Sequence, residues 1–365
     1  MTVLDTSRRV LRTASLDLIA GLQAPTGAFP ACSTFAVYQY SWLRDGTYIA
    51  LALDVAGRHM PASAFHRWVG GVIEHMSPAI DAVLAHRAAG LVPDASLLLP
   101  TRYTLDGEVE QPNDDAWPTV QLDGYGVWLW GLRHHLDGRL CPDSLRSPVR
   151  KVADYLVATW DLPCYDCWEE FGDRRHTSTL GAIAAGLAAA AGLLSDGAYQ
   201  RVADEVVAWM RRECVVDGCL VKGPQDHRAD ASLLTLAVPL EVFDPFDPVM
   251  AAAAHRIEQE LVSPGGGVYR YLGDTYYGGG AWLIEACWLG LYDLATGRPG
   301  DARRCQDWVI AHVDHQMGLP EQVTDEAQVP EMVQPWIEKW GPPASPLLWS
   351  HAMFVLLDEA LDGAA

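Results

Sequence analysis

The sequence is poor in cationic side chains and contains no basic run. Its 365 residues include 26 Lys+Arg against 47 Asp+Glu, which gives a net charge of −21 and a pI near 4.8. Proteins that bind nucleic acid hold the phosphates with clustered lysines and arginines. The composition therefore excludes nucleic acid as an expected partner and suits neutral or cationic ligands.

Segments that would direct the chain to a membrane are also lacking. Residues 1–22 do not contain the uninterrupted apolar stretch of a secretory signal, because charged side chains interrupt them: Asp5, Arg8, Arg9, Arg12 and Asp17. No run approaches the ~18 apolar residues that a membrane span requires. We therefore expect a cytoplasmic protein that does not associate with a membrane.

Strand-like alternation is nearly absent, and only 219–221 and 267–271 suggest short strands. Half of the residues are hydrophobic, which is too many for a disordered chain. They recur at helical spacing between Pro- and Gly-rich loops, so the fold class is predicted to be all-α, with close to a dozen helices. No linker divides the chain, and residues 1–365 are predicted to form one domain. The predicted helices are 6–21, 44–56, 61–89 (broken near 77–78), 118–136, 148–160, 179–194, 198–213, 229–238, 248–262, 277–295, 302–316 and 346–361.

Phenylalanine is the least common of the three large aromatic residues, with 7 Phe against 14 Trp and 13 Tyr. Most of the large aromatic side chains therefore carry a polar N–H or O–H group at one edge of the ring. Tryptophan and tyrosine gather beside Arg, Asp and Glu in long loops, which in a compact helical protein are usually functional. The five loops are 29–44, 92–117, 161–179, 263–280 and 318–345.

Eight cysteines are present, and two pairs are close in sequence, Cys164 with Cys167 and Cys214 with Cys219. Four thiolates at such spacings can bind a structural zinc ion. However, the second spacing is long and neither pair lies in a Gly-rich knuckle. Buried free thiols are therefore the preferred interpretation, with the zinc site as the alternative.

The first loop contains an adjacent Arg44 and Asp45 after Tyr38 and Trp42. A guanidinium next to a carboxylate can bind the vicinal hydroxyls of a sugar, and an aromatic face can cover its C–H surface. Asp45 as a simple helix cap is an equally good interpretation of this motif alone. Further on, Asp123 lies in an apolar, Trp-rich helix, where a buried carboxylate needs a partner.

Three carboxylates surround a tryptophan in the third loop, at Asp166, Trp168, Glu169 and Glu170. Burial beside an indole, together with like-charge repulsion, raises the pKa of a carboxylic acid and keeps its proton available near neutral pH. This cluster is the best candidate for a general acid. A solvated acidic cluster is the weaker alternative, because Trp168 would then be exposed without a reason.

The last two loops have the same character. Residues 269–282 combine arginine, aspartate and aromatics with four glycines, and Glu321 follows Pro320. Glu321 is a plausible general base, although alone it would be an ordinary loop glutamate. Five such loops on one helical protein indicate a carbohydrate pocket. Glycoside hydrolysis requires two carboxylates and neither a cofactor nor a metal, whereas motifs for serine hydrolases, nucleotide binding and zinc proteases are absent.

The motifs resemble those of glycoside hydrolase family 15, the glucoamylase family, in residue types and internal spacing from about residue 38 to residue 351. The resemblance implies that Glu169 is the general acid and Glu321 the general base, with no metal and no cofactor. It assigns substrate binding to Tyr38, Trp42, Arg44, Asp45, Trp117, Asp166, Trp168, Glu170, Arg270, Tyr271, Asp274, Tyr276, Trp282, Gln322 and Trp349.

The resemblance also implies an (α/α)6 barrel, in agreement with the dozen helices, and an inverting mechanism that releases β-glucose from the non-reducing end of a glucoside. We expect neither an N-terminal β-sandwich nor a starch-binding module. The acidic, Trp-containing segment 324–345 is expected to narrow the entrance and favour short substrates.

The short form is most similar to the bacterial isomaltose glucohydrolases of the family, so the expected substrate is a glucose-containing disaccharide or short oligosaccharide. A trehalase and a maltooligosaccharide glucoamylase are the alternatives within the family. A non-catalytic sugar-binding relative is the alternative from a different class, although it would need neither an acid nor a base. An isoprenoid cyclase using residues 113–115 would need a second metal-binding motif, which the sequence lacks.

Overall fold

The computed structural model describes residues 3–110 and 120–364. Within these residues almost all regular structure is helical. The α-helices are α1 (Val3–Leu22), α2 (Leu43–Val55), α3 (His59–His75), α4 (Ser77–Ala88), α5 (Asp123–His135), α6 (Asp143–Thr159), α7 (Thr177–Leu194), α8 (Gly197–Glu213), α9 (Pro248–Glu260), α10 (Leu283–Ala295), α11 (Pro299–Ala311), α12 (Val333–Trp340) and α13 (Leu348–Gly363).

Twelve elements form two concentric rings that alternate along the chain. The inner ring closes in the order α2, α5, α7, the 3-10 helix Ala231–Leu236, α10 and α13, which packs back on α2. The outer ring consists of α1, α3, α6, α8, α9 and α11, each packed against the inner element next to it. This arrangement is the predicted (α/α)6 barrel, and α4 and α12 are additions to it.

The inner helices lie in the core because little of their surface is polar. All but four of the eighteen residues of α7 are buried. By length and composition α7 could span a membrane, which corrects the expectation that no run approaches this length. However, 78% of it is buried within the fold, as in the core helix of a globular protein.

Helices α5 and α7 approach so closely that glycine is required on both. A Cβ on Gly126 would lie 2.2 Å from the carbonyl oxygen of Ala182, and a Cβ on Gly186 would lie 2.5 Å from that of Gly126. Both distances are far below van der Waals contact. The two glycines therefore set the spacing between these inner helices.

Several predicted helix boundaries were wrong. Helix α10 begins at Leu283 rather than at residue 277, because Tyr276–Gly278 form a 3-10 turn in which Tyr277 has a φ of 48°. Helix α6 begins at Asp143, so Pro148 lies inside it rather than at its start.

The predicted helix 229–238 is the 3-10 helix of the inner ring, and α12 was not predicted as a helix. Helix α5 begins at Asp123 rather than at residue 118, and residues 111–119 lie outside the described part of the chain.

Short antiparallel strands brace the loops where the inner helices begin. In the described residues there are seven strands of two residues each: β1 (Ser41–Trp42), β2 (Arg102–Tyr103), β3 (Val215–Val216), β4 (Cys219–Leu220), β5 (Val268–Tyr269), β6 (Ala281–Trp282) and β7 (Gln322–Val323). β4 and β5 match the two short strands that the sequence suggested. Strand β1 pairs with β2, and β5, β6 and β7 form one sheet in which Trp282 lies opposite Gln322.

Candidate active site

A cavity of about 570 Å³ opens at the end of the barrel where the inner helices begin. Its walls come from the loops before α2, α7, α10 and α13 and from the first turns of two of these helices. The predicted residues that line it are Tyr38, Trp42, Arg44, Asp45, Trp168, Glu169, Glu170, Arg270, Tyr276, Trp282, Glu321 and Trp349. The structure thus brings both predicted catalytic carboxylates into one cavity.

Glu321 lies at the end of a chain of hydrogen bonds from two tyrosines of different loops. The hydroxyl of Tyr38 donates a hydrogen bond to Oε1 of Glu321 at 2.9 Å and lies 3.0 Å from the hydroxyl of Tyr276. Since a phenol has one proton to donate, Tyr276 is the donor to Tyr38. The other carboxylate oxygen, Oε2, is buried and has no hydrogen-bond partner among the described residues.

The loop that carries Glu321 is attached to the start of α13. The backbone N–H of Leu319 donates to Nε2 of His351 at 3.0 Å, and Ser350 Oγ donates to the carbonyl oxygen of Pro320 at 2.8 Å. The N–H of Glu321 itself donates to the carbonyl oxygen of Ala344 at 2.8 Å. These bonds fix the backbone of the carboxylate from both sides.

Burial raises the pKa of Glu321 to about 7. The hydrogen bond from Tyr38 and the positive charge of Arg270 oppose this shift, while the nearby negative charge of Glu169 adds to it. Desolvation therefore outweighs the stabilising contacts. A carboxylate with a raised pKa is a stronger base than an exposed one, as activation of water requires.

Glu169 lies on a strained turn beneath Trp42. The indole Nε1 of Trp42 donates a hydrogen bond to Oε1 of Glu169 at 2.6 Å. Glu169 has a φ of 66°, in the left-handed region that few residues with a side chain adopt. Burial raises the pKa of Glu169, against the opposing charge of Arg44 and the hydrogen bonds from Gln121 and Trp42.

Asp166 holds this turn in place. Its Oδ1 accepts hydrogen bonds from the backbone N–H groups of Trp168, at 3.0 Å, and of Glu170, at 2.9 Å. The N–H of Glu169 donates to the Asp166 carbonyl oxygen at 2.9 Å. The strained conformation is therefore determined by its surroundings, which is typical of backbone at catalytic positions.

A buried lysine lies under the same turn. Nζ of Lys222 is 2.8 Å from Oδ2 of Asp166 and also contacts Asp230, whose carboxylate accepts a hydrogen bond from Nε1 of Trp168 at 3.0 Å. Burial opposes the charge on Lys222, but the two carboxylates outweigh it and raise its pKa. Lys222 therefore joins two loops through a fully charged, buried network.

Arg44 organises the opposite wall of the cavity. Its Nη1 lies 2.8 Å from Oε1 of Gln121 and 3.0 Å from Oδ2 of Asp123, and its guanidinium faces the ring of Trp349. Asp123 thus has the partner that its burial requires. Burial raises the pKa of the adjacent Asp45 to about 6, although the charge of Arg44 opposes the shift.

Arg270 positions the side chains on another side of the cavity. It forms a bidentate pair with Asp274, at 2.6 and 2.7 Å, and lies 3.6 Å from Oε1 of Glu170. Tyr271 donates a hydrogen bond to the other oxygen of Glu170. The rings of Trp282 and Tyr276 also face the guanidinium, at 5.1 and 5.3 Å. Glu170 is thereby oriented at the cavity surface.

Some predicted binding residues do not reach the cavity surface. Asp166, Tyr271 and Asp274 lie behind the wall and position the residues in front of them, as described above. Gln322 is also buried, and its Oε1 accepts a hydrogen bond from the N–H of Gly280 at 3.2 Å. Trp117 lies outside the described residues.

Other residues of the site were not predicted. Phe35 and Lys339 line the cavity, and Lys222 and Asp230 support it from behind. Glu285, in the first turn of α10, is fully buried, and burial raises its pKa well above the usual value. A sequence signal for Glu285 exists, because it is the single acidic or basic residue within the apolar run 281–291.

The segment after Glu321 covers one side of the cavity through α12. Trp336, Lys339 and Trp340 line it, and Nε1 of Trp336 donates to the carbonyl oxygen of Thr275 at 2.8 Å. The ring of Trp336 meets that of Tyr276 edge to face at 5.0 Å. This helix therefore forms part of the rim, at the place where the sequence predicted a narrowed entrance.

Among the described residues, no cysteine belongs to a group of three or more side chains with the geometry to hold a metal ion. All eight thiols are free, and seven of them are buried. Burial raises the pKa of both Cys164 and Cys167. The preferred interpretation of the cysteines as buried free thiols is confirmed.

A buried carboxylate, Glu321, and a half-buried one, Glu169, face a cavity walled by tryptophan, tyrosine and arginine at one end of an (α/α)6 barrel. This arrangement indicates a glycoside hydrolase. Residues 7–331 match the model of the glycosyl hydrolases family 15. The chain belongs to glycoside hydrolase family 15.

Related proteins of known activity or structure agree with this assignment. The chain is 39% identical to the isomaltose glucohydrolase of Kribbella flavida over 347 residues, which cover 92% of this chain and 88% of that protein. It is 24% identical to trehalase 1 of Sulfolobus acidocaldarius over 82% of this chain and 56% of the trehalase. A glycosidase variant solved in complex with glucose superposes with a TM-score of 0.94, at 37% identity and 99% coverage of both chains.

Replacement of Lys222 by methionine tests whether this buried lysine stabilises the turn that carries Glu169. The substitution leaves Asp166 and Asp230 buried without their cation, which should lower the free energy of unfolding by about 3–5 kcal/mol. Displacement of the turn should also lower kcat/KM by roughly 10²-fold. Urea denaturation and glucose release measure the two effects.

Lys151→Met is the matched control, because Lys151 pairs with Asp81 at the surface and should cost at most about 1 kcal/mol. A Lys222→Met protein with control-like stability and rate would contradict the supporting role.

Replacement of Tyr38 by phenylalanine tests how Glu321 is tuned. The hydrogen bond from Tyr38 lowers the pKa of Glu321, so its loss should raise that pKa further. Since a general base acts only when deprotonated, the acidic limb of the kcat/KM profile should move to higher pH, by roughly 0.5–1 unit.

Tyr292→Phe removes a hydroxyl that donates to the carbonyl oxygen of Pro245, outside the cavity, and should leave the profile unchanged. A shift of the Tyr38→Phe limb toward lower pH would refute the assignment.

Proposed function

We propose that this protein is an exo-acting, inverting α-glucosidase that releases β-glucose from the non-reducing end of isomaltose and other short α-1,6-linked glucosides. The two catalytic groups are Glu169 and Glu321. The observation that carries the proposal is their arrangement: the two carboxylates face one cavity and accept hydrogen bonds from Trp42 and Tyr38, which belong to a single loop.

The two carboxylates have different tasks in this reaction. Glu169 acts as the acid and transfers its proton to the glycosidic oxygen as the bond from that oxygen to the anomeric carbon breaks. Glu321 acts as the base and takes a proton from a water molecule, whose oxygen forms the new bond to the anomeric carbon from the opposite face. The net reaction consumes one water, inverts the anomeric configuration and leaves the two protons to re-equilibrate with solvent.

The electrostatics of each carboxylate support its task. Burial raises the pKa of Glu169, which favours the protonated form that a general acid requires. Glu321 has an unpartnered buried oxygen that can accept a proton from water, and its negative charge is stabilised by Tyr38 and Arg270. In the free protein the negative charge of Glu169 adds to the raised pKa of Glu321, so the two groups are expected to influence each other's titration.

The remaining cavity residues suit a terminal glucose. Arg44 and Asp45 offer a donor and an acceptor side by side, and the buried Nε1 atoms of Trp282 and Trp349 have no hydrogen-bond partner among the described residues. These groups can satisfy the hydroxyls of one sugar unit, and the indole rings can cover its apolar faces.

Two observations favour a short substrate: the rim that α12 forms at the cavity, and the similarity of the chain to an isomaltose glucohydrolase. Trp336 and Trp340 stand on the side of the cavity formed by α12, which limits the room beyond the scissile bond. The 39% identity to the isomaltose glucohydrolase of Kribbella flavida, over nearly the full length of both proteins, favours the α-1,6 linkage. Similarity to trehalases is lower and covers a smaller part of those proteins.

Removal of either carboxylate group should abolish most of the activity while the pocket is retained. Glu169→Gln and Glu321→Gln preserve side-chain volume and should each lower kcat by roughly 10²–10⁴-fold, because general acid and general base catalysis contribute about that much. Glu205→Gln, on the exposed surface of α8, is the control and should keep full activity.

The same assay also tests the stereochemistry. Proton NMR of fresh reactions should detect β-glucose before the α-anomer appears by mutarotation. Initial release of α-glucose would exclude inversion. Full activity of the Glu169→Gln protein would show that Glu169 is not the general acid.

The substrate is tested with a panel of isomaltose, panose, maltose, trehalose and soluble starch. Glucose release should be fastest with isomaltose and slowest with starch, because the rim formed by α12 restricts long chains. Preference for trehalose or maltose would replace the α-1,6 assignment by one of the family alternatives. Binding without hydrolysis of any member would indicate a non-catalytic sugar-binding protein.

A further inference from the structure

Three potential metal ligands meet at the end of the barrel opposite to the cavity. Asp54 lies in the last turn of α2, His66 in the middle of α3 and His135 at the end of α5. One side-chain ligand atom from each lies within 4.8 Å of those of the other two. Among the described residues, this is the cluster of His, Cys, Asp and Glu side chains with the geometry to hold an ion.

The cluster is separate from the catalytic cavity. Asp54 follows Asp45 by nine residues and His135 follows Asp123 by twelve, which correspond to about 13 and 18 Å along helices that rise about 1.5 Å per residue. Asp45 and Asp123 lie at the catalytic end of the barrel. A ligand bound to the cluster would therefore not contact a sugar in the cavity.

His66 provides the strongest single indication of a ligand. It is only 2% exposed, and its Nδ1 has no hydrogen-bond partner among the described residues. A buried imidazole with an unpartnered nitrogen is well suited to coordinate a metal ion.

The other two ligands are already oriented. Nδ1 of His135 lies 2.8 Å from Oδ2 of Asp54, and its Nε2 is 2.9 Å from Oγ of Ser63. The rings of His66 and His135 are 4.8 Å apart. His59 places its own Nδ1 2.9 Å from Oδ1 of Asp54, at the exposed side of the cluster. A hydrogen bond from a second group to a ligating histidine is the usual outer support of such sites.

The ends of the helices favour a positive charge at this position. Asp54 and His135 lie in the last turns of α2 and α5, where the terminal carbonyl groups carry a partial negative charge. A cation between them is stabilised by both helices as well as by the carboxylate. A divalent ion bound to both side chains would take the place of the hydrogen bond between Asp54 and His135.

We propose that Asp54, His66 and His135 bind one divalent first-row transition-metal ion of the zinc class. Two imidazoles and one carboxylate are the ligands that Zn²⁺ takes readily, whereas Mg²⁺ and Ca²⁺ prefer oxygen ligands alone. Water or His59 completes a tetrahedral set. The ion connects two inner helices, α2 and α5, to the outer helix α3, so its role is to stabilise this end of the barrel.

Metal binding is measured on the full chain after chelator treatment and dialysis. Isothermal titration with Zn²⁺ should give one equivalent, Mg²⁺ should give none, and Zn²⁺ should raise Tm by a few degrees when present in large excess over its Kd. Substitution with Co²⁺ should give the visible absorption of a four-coordinate site with nitrogen and oxygen ligands. Glucosidase activity of the chelated protein should be unchanged at temperatures well below Tm.

The variants His66→Gln and Asp54→Asn should lose the Zn²⁺ equivalent and the shift in Tm. His75→Ala is the matched control, since His75 is exposed at the end of the same helix as His66 and should keep both. If a variant fails to fold, the Co²⁺ spectrum of the wild-type protein decides the question.

The proposal is overturned if the wild type binds no Zn²⁺, or if binding persists in both folded variants. A near-ultraviolet charge-transfer band typical of a thiolate–Co²⁺ bond would assign the ion to the cysteines instead. Neither result would affect the proposed glucosidase activity, because that activity is tested by Glu169 and Glu321.

Discussion

The catalytic end of the barrel depends on the pairing of buried charges. Burial of an isolated charged side chain is costly, whereas a paired and hydrogen-bonded one can be accommodated. Here Arg44 joins the starts of α2 and α5 through Asp123, and Arg270 holds Asp274 in a bidentate pair. Lys222 lies between Asp166 and Asp230 under the acid turn. Removal of any one of the three cations would release a loop that carries cavity residues, so they determine the geometry of the whole site.

The two proposed catalytic carboxylates, Glu169 and Glu321, differ from these structural ones because, among the described residues, they form no ion pair as short as those of Asp274 and Asp166. Asp274 has two short contacts with a guanidinium, whereas Glu321 accepts a hydrogen bond from a neutral tyrosine and Glu169 accepts one from the neutral indole of Trp42. Desolvation therefore dominates, and it raises the pKa of both groups. A carboxylate that is fully paired would be too weak as a base and too strongly ionised to act as an acid. The same burial that costs stability thus provides the reactivity.

Residue spacing was sufficient to predict the class of fold and most of the cavity wall, but not the supports behind it. Arg44, Glu169 and Glu321 occur in motifs a few residues long, so their chemistry could be read locally. Lys222 and its partner Asp166 are 56 residues apart, and only the closed ring of helices brings them together. Asp123 was expected to need a partner, yet nothing in its neighbourhood pointed to Arg44. The start of α10 was missed because a turn with a positive φ at Tyr277 and a two-residue strand are too short to produce a periodic pattern.

The direction of the inner helices gives the two ends of the barrel opposite electrostatic properties. At the catalytic end, α2, α5 and α10 each carry an acidic residue in the first turn, namely Asp45, Asp123 and Glu285. A helix N-terminus stabilises a negative charge in its first turn by about 0.3–1 kcal/mol, and by up to about 2 kcal/mol in partly buried sites. This contribution is too small to cancel the desolvation that raises the pKa of Glu321. At the other end the carbonyl termini favour cations, and the cluster of Asp54, His66 and His135 lies at this end. The inner helices run in the same direction. Their N-termini therefore favour carboxylates at one end of the barrel, and their C-termini favour a cation at the other end.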